Sequence, residues 1–141
     1  MKEKQILKKS IDLLYGKNPK DLTLLYDSKN KKIGVCHKGF VMYLFDPEGF
    51  PLKADVEKLP NIMALLDRYD YKPAMKTGMI EHKGTILTRL ESTDRTIHCH
   101  VQTELLKLFE EPRFEIKGRK EVIRVYEDDE LKGIVLPVNV P

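Results

Sequence analysis

The sequence has no long hydrophobic segment and only two cysteines. No stretch approaches the run of about 20 apolar residues that a membrane-spanning helix requires, so we predict that the chain is not an integral membrane protein. The charged N-terminus leads into an amphipathic segment, which argues against an export signal and favours a cytoplasmic protein. Cys36 and Cys99 lie far apart within apolar, strand-like stretches. We therefore expect free thiols and no disulfide framework.

The motifs of the common enzyme classes are absent as well. The sequence contains no G-x-S-x-G elbow, no C-x-x-C pair, no H-E-x-x-H and no G-x-G-x-x-G. Gly78 and Gly84 do not form a phosphate-binding loop. Their spacing differs from that of the motif, and Thr85 follows Gly84 where the motif has a lysine. We therefore favour a protein without catalytic activity, and we predict no cofactor.

The length and charge of the chain are those of an ordinary globular domain. It has 141 residues, of which 41% are hydrophobic and 33% charged, so we predict a single domain over residues 1–141 with its own core. The net charge of +3 and the isoelectric point near 8.7 permit contact with nucleic acid without requiring it.

The first half of the sequence alternates between helical and strand patterns. Leu7, Ile11 and Leu14 recur at helical spacing and predict an amphipathic helix over residues 2–15 that buries this stripe. Strands are predicted at 22–26 and 32–36, around a turn at 27–30, and at 40–45 with burial on both faces. Residues 54–68 predict a short central helical segment, which Pro60 divides and of which 61–68 is the stronger half.

The second half predicts mainly strands. Residues 71–84 are predicted to be a mobile loop with a short strand at 79–81, because glycine, proline and lysine interrupt the pattern. Further strands are expected at 85–91, 96–102, 113–117, 121–126 and 131–138, with a short helix at 103–110 capped by Thr103 and a solvated acidic turn at 127–130. The predicted fold class is α+β with largely antiparallel strands.

Three groups of residues are candidates for chemistry. The lysines at the start of the first helix could contact nucleic-acid phosphates, although they also fit an ordinary solvated face. A metal-dependent nuclease could use an acid together with the E-x-K spacing of strand 113–117, although an exposed ion pair explains the same residues. Two histidines on one strand face could bind a metal with help from His37, His82 or Glu104, but exposed strand histidines are the favoured interpretation. The groups are Lys2, Lys4, Lys8 and Lys9; Asp94, Glu115 and Lys117; and His98 and His100.

The C-terminal third resembles a known family. Its order is strand, helix, two strands, acidic turn and a final strand ending in Val-Leu-Pro-Val, and it covers about the last 45 residues. This order resembles the last half-domain of bacterial DNA polymerase sliding clamps, and the basic first helix followed by strands is a weaker match. The clamp domain normally opens with a strand, for which residues 1–5 are too short and too charged. The resemblance implies a clamp-like fold and contact with DNA.

We therefore predict a non-enzymatic binding protein that acts on DNA or on a DNA-replication partner. Because a clamp ring needs six such domains, a ring would require this chain to form a homo-oligomer of six copies. The alternatives are the small nuclease described above and a protein-interaction module of unknown partner. No membrane partner is predicted.

Overall fold

The computed structural model describes residues 1–50, 58–61 and 70–141. Backbone proximity divides the chain into two compact units, which we call the helix unit (Glu3–Asp67) and the strand unit (Met1–Lys2 with Arg68–Pro141). The described residues form one α-helix and nine β-strands, so the predicted α+β class is confirmed. No helix in these ranges has the length and apolar character needed to cross a membrane. The single domain stays a prediction.

The helix unit consists of one helix followed by an antiparallel three-stranded meander in the order β1-β2-β3. All five residues of β3 are buried, as its unbroken apolar run predicted. The predicted first helix, hairpin and third strand are thus confirmed. Their bounds are α1 Glu3–Leu14, β1 Leu22–Asp27, β2 Lys32–His37 and β3 Val41–Phe45.

The buried face of α1 differs from the predicted one. Ile6 and Ser10 are the fully buried residues of this helix, whereas Ile11 and Leu14 are exposed and Leu7 is half-buried. The prediction followed the apolar spacing alone and could not foresee that a serine would occupy the core position. The hydroxyl of Ser10 forms hydrogen bonds with the helix backbone and with a histidine, as described below.

The turn between β1 and β2 is organised by the buried carboxylate of Asp27. It accepts hydrogen bonds from the backbone nitrogens of Lys29 (3.0 Å) and Asn30 (3.2 Å) and from the Asn30 side-chain amide (2.8 Å). In such an Asx turn, the aspartate side chain accepts hydrogen bonds from backbone N–H groups that have no backbone partner in the turn. The predicted turn is therefore confirmed.

Most of the predicted central helical segment, residues 54–68, lies outside the described residues. In its described part, Lys58 is in a 3₁₀ turn, the backbone nitrogen of Tyr26 donates to the Pro60 carbonyl (2.8 Å), and Asn61 forms an isolated parallel bridge with Tyr26. The predicted helix at 61–68 lies, beyond Asn61, outside the described residues.

The strand unit is an antiparallel sheet of six strands in the order β9-β8-β7-β4-β5-β6. The predicted strands that became β5 to β9 are confirmed within a few residues at their ends. Their alternation places Cys99 and Val101 in the core and His98 and His100 on the opposite face. The bounds are β4 Lys72–His82, β5 Thr85–Ser92, β6 His98–Gln102, β7 Arg113–Ile116, β8 Ile123–Glu127 and β9 Glu130–Val135.

The predicted loop at 71–84 is wrong, because this segment is the longest strand of the molecule's described part. β4 pairs with β5 from Ala74 to His82, and a two-residue turn at Lys83 (φ 50°) and Gly84 (φ 81°) joins the two strands. Gly78 follows a β-bulge at Thr77. The interrupting residues that indicated a loop are therefore turn and bulge residues, and the strand lacks alternation because most of its side chains are exposed.

The predicted helix at 103–110 is shorter than expected. Only Thr103–Leu106 is helical, as a single 3₁₀ turn, and Leu106 and Phe109 are buried as predicted. Thr103 does not cap it: its hydroxyl lies 2.8 Å from that of Thr88 on the neighbouring strand. The Thr103 hydroxyl is therefore hydrogen-bonded to β5 and does not accept from the backbone of the helical turn.

The acidic turn at 127–130 is only partly solvated. Asp128 and Asp129 are exposed and adopt positive φ, as a tight hairpin turn requires. Glu127, in contrast, is buried, and its carboxylate contacts the Met1 ammonium (2.6 Å) and the backbone nitrogen of Glu110 (2.5 Å). The prediction of a solvated turn is therefore wrong for Glu127.

Candidate functional site

A basic loop at residues 117–120 connects β7 and β8 in the strand unit. Lys117, Arg119 and Lys120 are exposed, and none of them forms an ion pair within the part of the chain that the structure describes. They border an open concavity of about 550 Å³, which is also lined by Gly118, Glu121, Asn139 and Pro141. Three cations and the Glu121 carboxylate thus border one concavity, and the excess of positive charge favours an anionic ligand.

Gly118 lies against the side chain of Glu121 in this loop. A Cβ atom at this position would lie 2.6 Å from Oε2 of Glu121, so the carboxylate occupies the space that a side chain would need. Arg119 is also held, because its guanidinium donates to the carbonyl of Val140. Gly118 thus leaves room for the Glu121 carboxylate, and the Arg119 side chain is hydrogen-bonded to the segment at Val140.

His100, on β6, lies within the electrostatic influence of this loop. The carbonyl of His100 accepts a hydrogen bond from the backbone nitrogen of Val138 (2.8 Å). Val138 lies two residues before Val140, whose carbonyl accepts a hydrogen bond from Arg119. Burial lowers the pKa of His100, and the nearby charges of His98, Arg89, Arg119 and His82 lower it further. The charge of Arg119, in the basic loop, is therefore near enough to His100 to affect its protonation.

The lysines predicted to face phosphates lie at and beside α1. Lys2 precedes the helix, and Lys4, Lys8 and Lys9 lie on it; all four side chains are exposed. The helix also exposes apolar side chains, and Tyr15, just beyond its end, is 83% exposed. The prediction that these lysines contact nucleic acid is untested by the fold, which leaves them accessible.

The two histidines of β6 lie close together. The rings of His98 and His100 are perpendicular, with centroids 6.0 Å apart. Within residues 1–50, 58–61 and 70–141, no group of three or more His, Cys, Asp or Glu side chains is placed to hold a metal ion. His98 lies opposite Glu91, whose carboxylate is paired with Arg89 (2.8 Å). Both histidines are half-exposed, and a metal site at this pair stays an untested hypothesis.

The three residues of the nuclease hypothesis lie in the strand unit, but each has other contacts. Asp94 accepts from Lys72 (2.7 Å) and Thr96 (2.6 Å), and these hydrogen bonds, Lys72 first, hold the pKa of its carboxyl below the usual range. Glu115 lies on β7, two strands away from the turn of Asp94 in the sheet order, and Arg124 approaches it at 3.9 Å. Lys117 borders the concavity.

A serine and a histidine make a close contact inside the helix unit. Ser10 Oγ donates to the carbonyl of Ile6 (2.7 Å) and therefore accepts from Nε2 of His37, also at 2.7 Å. Both side chains are buried, and Nδ1 of His37 has no hydrogen-bond partner among the described residues. Burial, followed by the charge of Lys9, lowers the pKa of His37 to about 4. A hydroxyl that is sealed from solvent and bonded to its own helix is a structural group and not a nucleophile.

Sequence reasoning did not identify the basic loop as a site. The Lys-Gly-Arg-Lys sequence is visible in the chain, but it falls between two predicted strands, where charged residues are ordinary. Only the fold places it beside residues 138–141 and the histidine face of β6. The spacing in the sequence carries no signal for this arrangement.

The chain matches no protein-family model, and no curated protein or solved structure is similar to it. The resemblance to sliding clamps therefore stays a prediction.

Proposed function

We propose that this chain is a non-enzymatic binding protein that contacts the phosphate backbone of DNA. The observation that carries the proposal is the concavity at the basic loop, where Lys117, Arg119 and Lys120 lack acidic partners among the described residues. Phosphates spaced along a strand can engage several such cations at once, and each contact releases condensed counterions. The lysines of α1 would supply a second set of contacts.

The arrangement favours contact with the backbone over reading of base sequence. Three of the side chains that border the concavity are cations, and contacts of such groups to phosphates position a protein on a duplex without reading its sequence. The charge of the whole chain is only +3. We therefore expect modest affinity that depends strongly on salt and little on DNA sequence.

The proposal is tested by the salt dependence of binding to a labelled DNA duplex, measured by fluorescence anisotropy. Replacement of Lys117, Arg119 and Lys120 by glutamine removes three contacts. Each lost phosphate contact lowers the slope of log affinity against log salt by about 0.9, so we expect a fall of about 2 to 3. An affinity that is insensitive to salt would overturn the proposal.

Two further variants separate the sites. Glutamine at Lys2, Lys4, Lys8 and Lys9 tests the helix lysines, and an unchanged slope would exclude them. The matched control replaces four other exposed lysines, for which we expect no change: Lys17, Lys29, Lys31 and Lys38. If this control weakens binding as much as the loop variant does, the attraction is a property of net charge and the proposed site is wrong.

The same protein also tests the absence of catalysis. Plasmid DNA incubated with the chain and Mg²⁺ or Mn²⁺ should remain supercoiled. Cleavage that disappears in Glu115→Ala would contradict the proposal and favour the nuclease hypothesis.

A further inference from the structure

The β4–β5 hairpin exposes an unusual strand edge. β7 pairs with β4 only at Lys72–Ala74, and no described strand pairs with that edge of β4 from Met75 to His82. Met75 (53%), Met79 (65%) and Ile80 (39%) are exposed along this segment. An exposed strand edge with apolar side chains is a template for pairing with another chain.

The bulge at Thr77 decides which side chains share a face of this edge. Lys76 lies opposite Leu90 and Gly78 opposite Arg89, so Thr77 is the additional residue. Lys76, Met79 and Glu81 are consequently on one face, and Met75, Gly78, Ile80 and His82 are on the other.

The segment is complementary to itself when it is placed antiparallel to a second copy. With Met79 opposite Met79 of that copy, Gly78 meets Ile80 and Lys76 meets Glu81, and the two residues of each pair lie on a common face. The two-fold axis repeats each pair, so two Lys76–Glu81 charge pairs form. Opposite charges directly across an antiparallel pair are favourable, and like charges are unfavourable.

Both charged side chains are available for this pairing. Glu81 is exposed and forms no ion pair within the described part of the chain. The Lys76 ammonium lies 5.8 Å from the centroid of the Phe114 ring, at the outer limit of cation–π attraction. If the Lys76 side chain turns toward a second copy, it therefore loses only a weak cation–π attraction.

We infer that this chain forms a two-fold dimer by antiparallel pairing of the β4 edges of two copies. The interface is isologous and closed, so it yields dimers and not a ring of six. Light scattering after size exclusion should report a concentration-dependent mass that rises from 16.4 kDa toward twice this value. A wild-type chain that remains monomeric at 500 μM would overturn the inference.

Charge reversal identifies the register. Lys76→Glu and Glu81→Lys each turn both charge pairs into like-charge contacts, and we expect the dimer dissociation constant to rise at least about tenfold. The double variant restores the pairs, and its dissociation constant should return to within about threefold of the wild type. Lys83→Glu, in the hairpin turn outside the pairing, is the matched control and should leave the constant unchanged.

Mixing the two single variants gives the sharpest result. Each variant alone should be largely monomeric. In an equimolar mixture, a heterodimer takes both acidic side chains from one copy and both basic side chains from the other, so each charge pair joins opposite charges. We expect the mixture to dimerise with nearly wild-type affinity. A mixture that stays monomeric, or a wild-type dimer that survives both single reversals, would overturn the proposed interface.

Discussion

Strands β4 and β8 belong to the same sheet but have opposite environments. All five residues of β8 are buried, including Arg124 and Glu127, whereas most residues of β4 are exposed, including Met75 and Met79. Polar side chains are thus buried on β8, and apolar side chains are exposed on β4. Position in the sheet therefore decides the surroundings of each side chain: those of β8 pack in the core, and most of those of β4 contact solvent.

Arg124 shows why the polar side chains of β8 are tolerated. Its Nε donates to the hydroxyl of Tyr126 (3.1 Å), and its guanidinium lies 5.4 Å from the ring centroid of Tyr71 and 3.9 Å from a carboxylate oxygen of Glu115. The hydroxyl of Tyr71 in turn donates to the carbonyl of Val122 (2.8 Å). A buried charge of this kind is stable only while its partners remain in place.

The largest effect is therefore expected for Arg124→Ala. The substitution removes this partner from the buried Tyr126 hydroxyl and from the half-buried Glu115 carboxylate, so we expect the free energy of unfolding to fall by about 3 kcal/mol. Urea denaturation followed by circular dichroism measures this change. A loss below about 1 kcal/mol would show that the buried network contributes little.

Arg113 provides the matched control for burial. It also approaches Glu115 (3.7 Å), and its guanidinium lies 4.5 Å from the ring centroid of Tyr126, but its side chain is 46% exposed and that of Arg124 only 3%. Solvent screens exposed pairs, so Arg113→Ala should cost less than about 1 kcal/mol. Equal losses for the two arginines would contradict the comparison.

The next largest effect concerns His37, a buried polar residue of the helix unit. Its pKa is about 4 in the folded chain and near 6.5 when it is exposed on unfolding. Between these values only the unfolded state binds the proton, so stability falls as the pH decreases from 6.5 and the loss is complete below about pH 4. At pH 5 the loss is about 2 kcal/mol.

The measurement compares urea denaturation at pH 7 and pH 5 for the wild type and His37→Gln. The glutamine cannot titrate, so the wild type should lose about 2 kcal/mol more than the variant between these pH values. The other ionisable groups contribute to both proteins and cancel in the difference. Equal pH dependence would mean that His37 takes up its proton without cost in the folded chain.

The smallest effect is expected at the exposed apolar residues of β4. Met79→Thr removes a side chain that is 65% exposed and replaces it with a good strand former, so the monomer's stability should change by less than about 0.5 kcal/mol. In β8, Val125 is fully buried, and Val125→Ala should cost about 2 kcal/mol through the cavity that it leaves. Thermal unfolding at low concentration, where any dimer is dissociated, would reveal whether this contrast fails.

Much of the fold could be predicted because its local signals are strong. The hairpin of β1 and β2, the apolar run of β3 and the alternation of β6 all produced the expected strands. The prediction of β4 failed because its side chains contact solvent on both faces, so burial imposed no alternating pattern on the sequence. The buried stripe of α1 was misassigned because Ser10 occupies a core position for a hydrogen-bonding reason that hydrophobic spacing cannot express.

The candidate surfaces divide in the same way. The exposed lysines of α1 could be named from the sequence, because charged residues on an amphipathic helix usually face solvent. The concavity at residues 117–120 could not, because its lining comes from a loop and from residues 139 and 141, which the chain order keeps apart. The complementary edge of β4 also required the bulge at Thr77, which shifts Lys76 and Glu81 onto one face.

By itself, the sequence determined the α+β class, most strand positions and the exposed charges, since these depend on short-range periodicity and on the solvation of single residues. The tertiary structure alone decided which polar residues are buried, which strand edge stays open and which cations border a common concavity. These features depend on contacts between residues that are distant in the chain. Periodicity within one segment carries no information about the element that packs against it.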